Sequence, residues 1–503
     1  MNKAKEPEEM TNKLEERRSA IKRVMEDRKG RDVEYGRFCG KIKDVHCIID
    51  REEQEENPLQ LVERMCPAYG AVRYSITIPN NIPLIHGTAG CAALHKANWA
   101  KLGAYAGMPL WPIPTTAMGP DDIFFGAEDK LKKAIVEVDQ YYKPDMISVI
   151  KTCGSAIIGD NVTEICHTLR DKVNCRLLPV DCAGFSSRNQ GMGQDRYLAA
   201  LAENVMEKQD EIIPNSVNYL GETYGLAPVP FPTDSQEIKR VFDLLGIKIN
   251  CYIPGRDPVE KIVTAPKASL NVQRCMNSTM GICRVMKEKF GTPYVATCVP
   301  IGIDPTTEFF LAIIEALGLG RDAEAVIEKE VKETRKALEP FRQQLEGKTF
   351  ALTVASGRTT SLANLFIELG MIPVYIGFHF ILEKTFPNIE ILSEKFKRQG
   401  YDPLVLVEPS FYEEEKVFAD LKPDVFFCDF AERQVAFRHG VPPSQIMGLT
   451  WLGPWLGYRG TVVLAHQALN AINNPIFKRF GRKMYPGTYA SEAFINQKKG
   501  EWA

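Results

Sequence analysis

The sequence predicts an α/β protein made of three doubly wound, Rossmann-like domains with parallel sheets. The chain has 503 residues. A domain with one hydrophobic core usually has about 100 to 200 residues, so this chain is long enough for several domains. From about Asp145, a short β-branched run is repeatedly followed by a turn of small residues and an amphipathic stretch. Such units build parallel sheets with helices on both faces.

The predicted elements follow in chain order. The first domain contains a strand at 146–153, an amphipathic run that reaches Val173 and a strand at 176–181. The second contains strands at 216–220 and 248–253 and helices at 235–245 and 280–290. The third contains apolar segments at 350–355, 362–370, 372–377 and 424–430. We expect a charged arm over residues 1–40 and domains over 41–215, 216–345 and 346–503, with the last boundary in a charged helix at 322–347.

Composition excludes several classes of protein. The 62 Lys and Arg residues are balanced by 64 Asp and Glu residues, so no basic field exists to attract nucleic acid or an anionic membrane. The chain contains no apolar stretch of about 18 residues, and residues 1–32 are too charged for a signal peptide. A cytoplasmic protein is predicted. Its 13 cysteines are then thiols or thiolate ligands rather than disulfides.

Ligands of open α/β sheets bind beyond the carboxyl ends of the strands. This rule directs attention to Cys153, Cys182, the segment 356–358 and the segment after Phe430. Cys66, Cys91 and Cys153 each lie beside small residues at a turn, where the backbone can approach a bulky ligand. Thiolates from loops that are distant in sequence are the ligands of iron-sulfur clusters. The alternative is that each cysteine is an ordinary small core residue.

Several runs together resemble the α-subunit of the nitrogenase component 1 superfamily. They are Cys66-Pro-Ala-Tyr-Gly70, His86-Gly-Thr-Ala-Gly-Cys91, Asp122-Ile-Phe-Phe-Gly126, Cys153-Gly-Ser-Ala-Ile-Ile-Gly-Asp160, Cys182-Ala-Gly-Phe185, Gln273-Arg-Cys-Met-Asn-Ser278, Gly453-Pro-Trp-Leu-Gly457 and Asn473-Asn-Pro475. The resemblance spans roughly residues 60 to 475.

The resemblance implies clusters at a subunit interface and between domains. Cys66, Cys91 and Cys153 match the three α-subunit ligands of a P-cluster-type 8Fe-7S cluster, whose other ligands come from a homologous β-like subunit in an α2β2 assembly. Cys275 matches the single cysteine that holds a second, buried cluster. The chain has no GxxxxGK[ST] motif, so we expect a separate ATP-dependent iron-sulfur reductase protein. Other cysteines, such as Cys166, Cys283 and Cys428, are expected in the core.

Around the second cluster, the sequence departs from the family. Met447 replaces a histidine ligand, Ala431 a lysine that holds homocitrate, Gln194 a proton-delivering histidine and Trp99 an arginine, whereas Gln190 is kept. Methionine is a poor substitute for imidazole, and glutamine cannot cycle a proton near neutral pH. An all-iron 8Fe-9S-C-type cluster without homocitrate, held by Cys275 beside Trp99 and Met447, is the expected cofactor.

Two further residues are candidates for the same pocket. His379 follows the segment 372–377 and is expected to act there as a proton donor or a ligand, or to be a structural histidine. Arg358 resembles an arginine that the family keeps beside its cofactor and could neutralise an anionic cluster. The alternative for Arg358 is a surface or core-capping role.

The departures make reduction of dinitrogen improbable and favour a nitrogenase-like reductase that cleaves the carbon-sulfur bond of small methylthio-alkanes. A pocket without homocitrate suits a small neutral thioether. The alternatives are a scaffold subunit for nitrogenase-cofactor assembly, an alternative nitrogenase α-subunit, and a tetrapyrrole reductase, although tetrapyrrole reductases are usually shorter. Substrate turnover distinguishes a reductase from a scaffold, which transfers its cluster to an acceptor.

Overall fold

The computed structural model describes residues 39–40, 65–105, 112–186, 190–221, 233–379, 381, 386–429, 432–445 and 453–480. The chain divides into two compact units. We call Val62–Arg335 with Leu449–Thr461 the larger unit, and Met1–Leu61, Lys336–Gly448 and Val462–Ala503 the smaller unit.

The helices and strands are numbered in chain order. The helices are α1 (Pro67–Ser75), α2 (Ala89–Tyr105), α3 (Pro120–Phe125), α4 (Glu128–Tyr142), α5 (Cys153–Ile157), α6 (Val162–Leu169), α7 (Gln190–Asn204), α8 (Thr233–Leu244), α9 (Val259–Val263), α10 (Met280–Phe290), α11 (Ile303–Leu317), α12 (Arg321–Leu345), α13 (Ser356–Glu368), α14 (Phe386–Gln399), α15 (Phe411–Leu421), α16 (Arg433–Arg438), α17 (Gly457–Asn473) and α18 (Pro475–Phe480). The strands are β1 (Cys39–Gly40), β2 (Asn81–His86), β3 (Met146–Lys151), β4 (Arg176–Asp181), β5 (Ile213–Leu220), β6 (Lys248–Ile253), β7 (Ala268–Gln273), β8 (Tyr294–Val295), β9 (Thr349–Val354), β10 (Ile372–Phe378), β11 (Leu404–Val407), β12 (Val425–Cys428) and β13 (Pro443–Gln445).

The larger unit contains two parallel sheets. One has the order β2-β3-β4, with Leu84 of β2 opposite Val149 of β3. The other has the order β6-β5-β7-β8. The central strand β3 of the three-stranded sheet is mostly apolar and buried over almost its whole length, because helices cover both faces of a parallel sheet.

The smaller unit is built around a sheet with the order β1-β11-β10-β9-β12-β13. Its strands are parallel except for the two-residue β1, which pairs antiparallel with β11. The predicted α/β fold with parallel sheets is therefore confirmed. The three domain boundaries stay a prediction.

Two of the sheets contain a topological switch point, where successive connections leave in opposite directions. In the four-stranded sheet it lies between β5 and β7, and in the sheet of the smaller unit it lies between β9 and β12. At such points, the loops at the carboxyl ends of the two strands diverge and leave a crevice for a ligand. Cys275 follows β7, and Asp429 follows β12.

Most predicted elements have nearly the observed bounds, and two differ. The strand predicted at 146–153 ends at Lys151, and Cys153 begins a helix. The apolar segment predicted at 362–370 belongs to helix α13, which begins earlier, at Ser356, because hydroxyl side chains in its first turns donate to backbone carbonyls, as Thr359 does to Val354 at 3.0 Å. Of the charged arm, only Cys39–Gly40 lies within the described residues. None of the described helices is long and apolar enough to cross a membrane.

Candidate metal centres

Cys66, Cys91 and Cys153 come together at one edge of the three-stranded sheet. Cys153 begins α5 two residues after β3, and Cys91 lies in the first turn of α2 after β2. The carboxyl ends of these neighbouring parallel strands meet at the same edge. Cys66 directly precedes α1. All three thiols are half-buried, so each can reach a ligand at the surface.

Gly184 makes room for two of these thiols. Its backbone N–H donates to Cys153 Sγ at 3.0 Å, and a Cβ at position 184 would lie 2.9 Å from that sulfur and 3.6 Å from Cys66 Cβ. A larger residue would therefore fill the space between them. The third thiol, that of Cys91, accepts a hydrogen bond at its Sγ from Thr88 Oγ1 at 3.7 Å.

Electrostatics also couples the three thiols. Burial raises the pKa of the Cys66 thiol, and negative charge on Cys91 and Cys153 raises this pKa further, against the lowering effect of the backbone N–H groups of Tyr69 and Ala68. Cys66 is therefore a protonated thiol in the cluster-free chain at neutral pH. A metal that binds it must displace a proton, so binding is expected to weaken as the pH falls.

The donor set suits a multi-iron cluster. Within the described parts of the chain, no three Cys, His, Asp or Glu side chains are close enough to hold a single metal ion. In a cluster, each thiolate binds its own iron, so the sulfurs stand farther apart than around one ion. Three sulfur donors around the space left by Gly184 fit an iron-sulfur cluster.

Exposed apolar side chains surround the three cysteines. Phe124 is 84% exposed and Phe125 is 89% exposed. Leu94, Ile123, Ile157 and Phe185 are also exposed. We call these six side chains the apolar rim. Ile123 is next to the cysteine loop, since its Cδ1 lies 3.8 Å from a Cβ built on Gly154. Apolar side chains exposed together around a half-buried polar centre are typical of a protein-protein interface.

Helix α1 links this edge to the region of Cys275. Cys66 precedes its first residue, and near its other end Tyr74 donates from its hydroxyl to Ser278 Oγ at 3.0 Å. Ser278 lies three residues after Cys275. Burial raises the pKa of Tyr74 to about 12, so its hydroxyl stays protonated. The helix is buried along its whole length.

Glycines let α1 and α7 approach closely. A Cβ on Gly70 would lie 1.9 Å from the carbonyl oxygen of Gln190, and a Cβ on Gly193 would lie 1.9 Å from that of Pro67. Real atoms do not approach so closely, so only glycine is accommodated at both positions without backbone movement. This contact places the start of α7 beside Cys66.

We expect Gly193→Ala to destabilise the protein by about 1–3 kcal/mol, because the added methyl group must push α1 away from α7. The measurement is urea unfolding of the purified chain. Gly320→Ala is the matched control, since a Cβ on Gly320 meets no atom within 4 Å. Equal stability of Gly193→Ala and the wild type would contradict the close packing.

Cys275 lies in a second candidate centre, at the switch point between β5 and β7. It is half-buried and directly precedes the turn Met276–Ser278. The backbone N–H of the preceding Arg274 donates to Leu220 at 2.9 Å, which ties the loop to the end of β5. The side chain of Arg274 pairs with Asp234 at 3.4 Å.

Asp234, which sequence reasoning missed, joins the Cys275 loop to the Gly-Pro motif. Its Oδ1 accepts from the backbone N–H of Trp455 at 2.8 Å, and the Arg274 guanidinium lies 5.3 Å from the Trp455 ring centroid. Burial raises the pKa of the Asp234 carboxyl, and Arg274 opposes this. The sequence contained no signal for Asp234, because Asp234 and its hydrogen-bond partner Trp455 are 221 positions apart.

The other residues predicted around this centre have different outcomes. Gln190 Oε1 accepts from Arg73 Nη1 at 3.5 Å, and Gln194 is buried in α7. Trp99 lies in α2, but its side chain is outside the described part of the structure, as are Met447 and Ala431 altogether. Roles for all of these residues stay predictions.

His379 and Arg358 lie in the smaller unit, together with two acids that the sequence did not single out. His379 Nε2 lies 2.7 Å from Glu432 Oε1 and its Nδ1 lies 3.6 Å from Asp429. Arg358 also lies 3.6 Å from Asp429. The strand-end rule pointed to the segment after Phe430; Asp429 lies at the end of β12 and Glu432 just before α16. Two acidic side chains and two basic ones therefore lie together at the carboxyl end of β12.

A buried His–Asp pair fixes the loops of two cysteines. His86 Nε2 lies 2.8 Å from Asp160, and its carbonyl accepts from the hydroxyls of Thr152 and Ser155 at 2.9 and 2.8 Å. Burial lowers the pKa of His86, against the hydrogen bond and charge of Asp160. The pair connects the end of β2, which precedes Cys91, to the segment after α5, the helix that begins at Cys153.

A second buried histidine, His95, gives the cluster-free chain an acid-sensitive stability. Burial lowers its pKa to about 4, from an ordinary value of 6.5. The unfolded chain takes up the proton near pH 6.5 and the folded chain only near pH 4. Stability is therefore lost as the pH falls through this window, by up to about 3 kcal/mol.

We expect His95→Phe to lose less stability than the wild type between pH 7 and pH 4, as measured by urea unfolding. His167→Phe is the control, because His167 is exposed on α6. An identical pH dependence in His95→Phe and wild type would refute the assignment to His95.

Comparison with known proteins places these centres in a family context. The sequence model of the nitrogenase component 1 type oxidoreductases matches residues 66–473. A nitrogenase iron-molybdenum cofactor biosynthesis protein NifE from Methanococcus maripaludis is 26% identical over 465 residues, covering 88% of this chain and 93% of that protein. NifE from a Nostoc species is 28% identical, covering 84% and 85%.

A nitrogenase alpha chain and a nitrogenase structure show a similar level of identity. The nitrogenase molybdenum-iron protein alpha chain of Clostridium pasteurianum is 26% identical, covering 72% of this chain and 76% of that protein. The solved structure described as nitrogenase Cp1 at pH 5 superimposes with a TM-score of 0.69 at 25% identity, covering 86% of this chain and 94% of that chain.

Proposed function

Since the chain belongs to the nitrogenase component 1 type oxidoreductase family, we propose that it is an α-like subunit that carries iron-sulfur clusters and serves as a scaffold for a nitrogenase-type cofactor. The observation that carries this proposal is the position of Cys275 at the switch point of the four-stranded sheet. Cys275 is the one protein thiolate that we propose for this cluster, so release of the cluster would break a single bond between iron and protein sulfur.

The names of the relatives support a scaffold over the methylthio-alkane reductase that the sequence predicts. NifE proteins from a methanogen and a cyanobacterium match most of this chain, and their name describes cofactor biosynthesis. In this proposal the cluster at Cys275 is cargo. Arg274 lies beside it, and its positive charge would neutralise an anionic cluster before release.

The cluster at Cys66, Cys91 and Cys153 is proposed as a resident electron carrier shared with a homologous β-like subunit. Iron-sulfur clusters supply one-electron redox chemistry. In this chain, Gly184 leaves room for the thiols and His86 fixes two of their loops. The partner would supply the other ligands of a P-cluster-type cluster in an α2β2 assembly, and a separate ATP-dependent reductase protein would supply electrons.

The apolar rim supports the β-like partner, and we expect Phe125→Ser to weaken the complex at least about tenfold. A loss of this size corresponds to about 1.4 kcal/mol, and burying a phenylalanine is worth about 1.5–3 kcal/mol. The measurement is co-purification and analytical ultracentrifugation. Tyr141→Ser is the control. Tyr141 is 81% exposed, but it lies near the end of α4, which leads into the amino end of β3, whereas Cys153 follows the carboxyl end of β3. Equal losses in both variants would contradict the proposed interface.

A second candidate function is a reductase, favoured by the alpha-chain relatives and the nitrogenase structure. Its proposed reaction converts a methylthio-alkane, two electrons and two protons into methanethiol and a hydrocarbon, with cleavage of the alkyl carbon-sulfur bond. The pair His379–Glu432 could supply a proton in such a reaction.

One experiment separates the two functions. The complex is purified anaerobically with ⁵⁷Fe in its clusters and is mixed with a cofactor-deficient nitrogenase component 1 acceptor. The scaffold proposal expects the ⁵⁷Fe Mössbauer signal of the buried cluster to appear in the re-isolated acceptor. Methanethiol formation from ethyl methyl sulfide with reductase protein and ATP, without such transfer, would support the reductase instead. If neither cluster transfer nor methanethiol formation is observed, both proposed functions are refuted.

A further inference from the structure

His95 is a buried imidazole with an unsatisfied nitrogen. It is 1% exposed, and its Nδ1 has no hydrogen-bond partner among the described residues. A buried polar group without a partner costs folding free energy. Natural proteins therefore satisfy such groups with water, a ligand or another chain.

The position of His95 relates it to two of the candidate cluster ligands. It follows Cys91 by four residues in α2, so both side chains lie on one helix face. Side chains in helices lean toward the amino terminus, which directs the imidazole of His95 toward Cys91. Its ring also lies 5.5 Å from that of Tyr69, which follows Cys66 by three residues in α1. His95 thus lies where α2, which contains Cys91, contacts α1, which follows Cys66.

The chemistry of His95 suits a sulfur partner. Burial keeps its imidazole neutral at physiological pH, so the ring has one N–H donor and one acceptor nitrogen. Sulfide and thiolate sulfurs of a cluster are acceptors, and N–H donors beside them shift the reduction potential. No other polar group of the described chain lies within hydrogen-bond distance of Nδ1.

We propose that His95 donates an Nδ1–H hydrogen bond to the sulfur of the interface cluster on the Cys91 side, as a positioning residue that raises the cluster's reduction potential. This inference rests on the proposed interface cluster. It adds a nitrogen contact to the three thiolates and accounts for the buried, unsatisfied imidazole.

The test uses the purified complex with ¹⁵N-labelled histidine. Hyperfine spectroscopy of the reduced interface cluster should show a weak ¹⁵N coupling that disappears in His95→Phe, a variant that keeps the ring against Tyr69. His167→Gln should retain the coupling. The potential of His95→Phe should become more negative, and His95→Gln, which keeps an N–H donor, should restore part of the difference.

The outcomes distinguish this inference from the function on which it rests. An interface cluster with full iron content but no histidine coupling would overturn the role of His95 alone. A coupling strong enough for direct coordination to iron would overturn the hydrogen bond in favour of ligation. Wild-type complex without any iron at the interface would overturn the proposed cluster itself.

Discussion

Cys153→Ala should remove the interface cluster from the complex and lower its iron occupancy at least about 10–100-fold. Losses of this size follow when only a residue that supports a metal ligand is changed, and Cys153 is proposed as a ligand itself. Its Sγ already receives the N–H of Gly184 at 3.0 Å, so the site is arranged around a sulfur. Iron analysis and EPR of the anaerobically purified complex measure the loss.

Cys166→Ala is the matched control for this prediction. Cys166 is buried in α6, on the same sheet, and burial raises its thiol pKa to about 12, so it is a core residue and not a ligand. We expect unchanged iron content and only a small loss of stability. Full iron content in Cys153→Ala, or an equal loss in Cys166→Ala, would remove Cys153 from the cluster.

The fold was predictable because its signal is local. Strand β4, strand β6 and helix α10 have the predicted bounds, since β-branched runs and helical periodicity show which faces are buried. The prediction failed where small polar residues extend an element. Helix α13 begins at Ser356, before the apolar segment that starts at Leu362, because its buried Thr359 and Thr360 donate to the backbone carbonyls of Val354 and Gly357.

The candidate centres were predictable only in part. The three thiols were singled out because they lie beside small residues at turns and because their runs resemble those of a family, and their role as ligands stays a prediction. Their supporting residues were not found. The pairs His86–Asp160, Asp234–Arg274 and His379–Glu432 join positions 74, 40 and 53 residues apart. Periodicity indicates that a residue is buried but not which distant partner satisfies it.

Cys275→Ala should abolish the buried cluster while the interface cluster keeps its EPR signal. The two sites use different loops: Cys275 follows β7 of the four-stranded sheet, whereas Cys91 and Cys153 follow strands of the three-stranded sheet. Because one cysteine is the expected protein thiolate on this cluster, its loss leaves no sulfur anchor. Iron quantification, EPR and the ⁵⁷Fe transfer assay measure the effect, and transfer to the acceptor should fall to background.

The control is Cys283→Ala, eight residues farther along the chain. Cys283 is fully buried in α10 and accepts from Gln273 Nε2 at 2.9 Å, so its removal costs packing but no cluster ligand. We expect normal iron content and normal transfer. If Cys275→Ala retains both cluster signals, the switch point of this sheet does not hold the cargo, and the scaffold proposal loses the residue on which it depends. If Cys275→Ala loses both signals, the two centres do not load independently, and the separation of loops argued from the sheets is wrong.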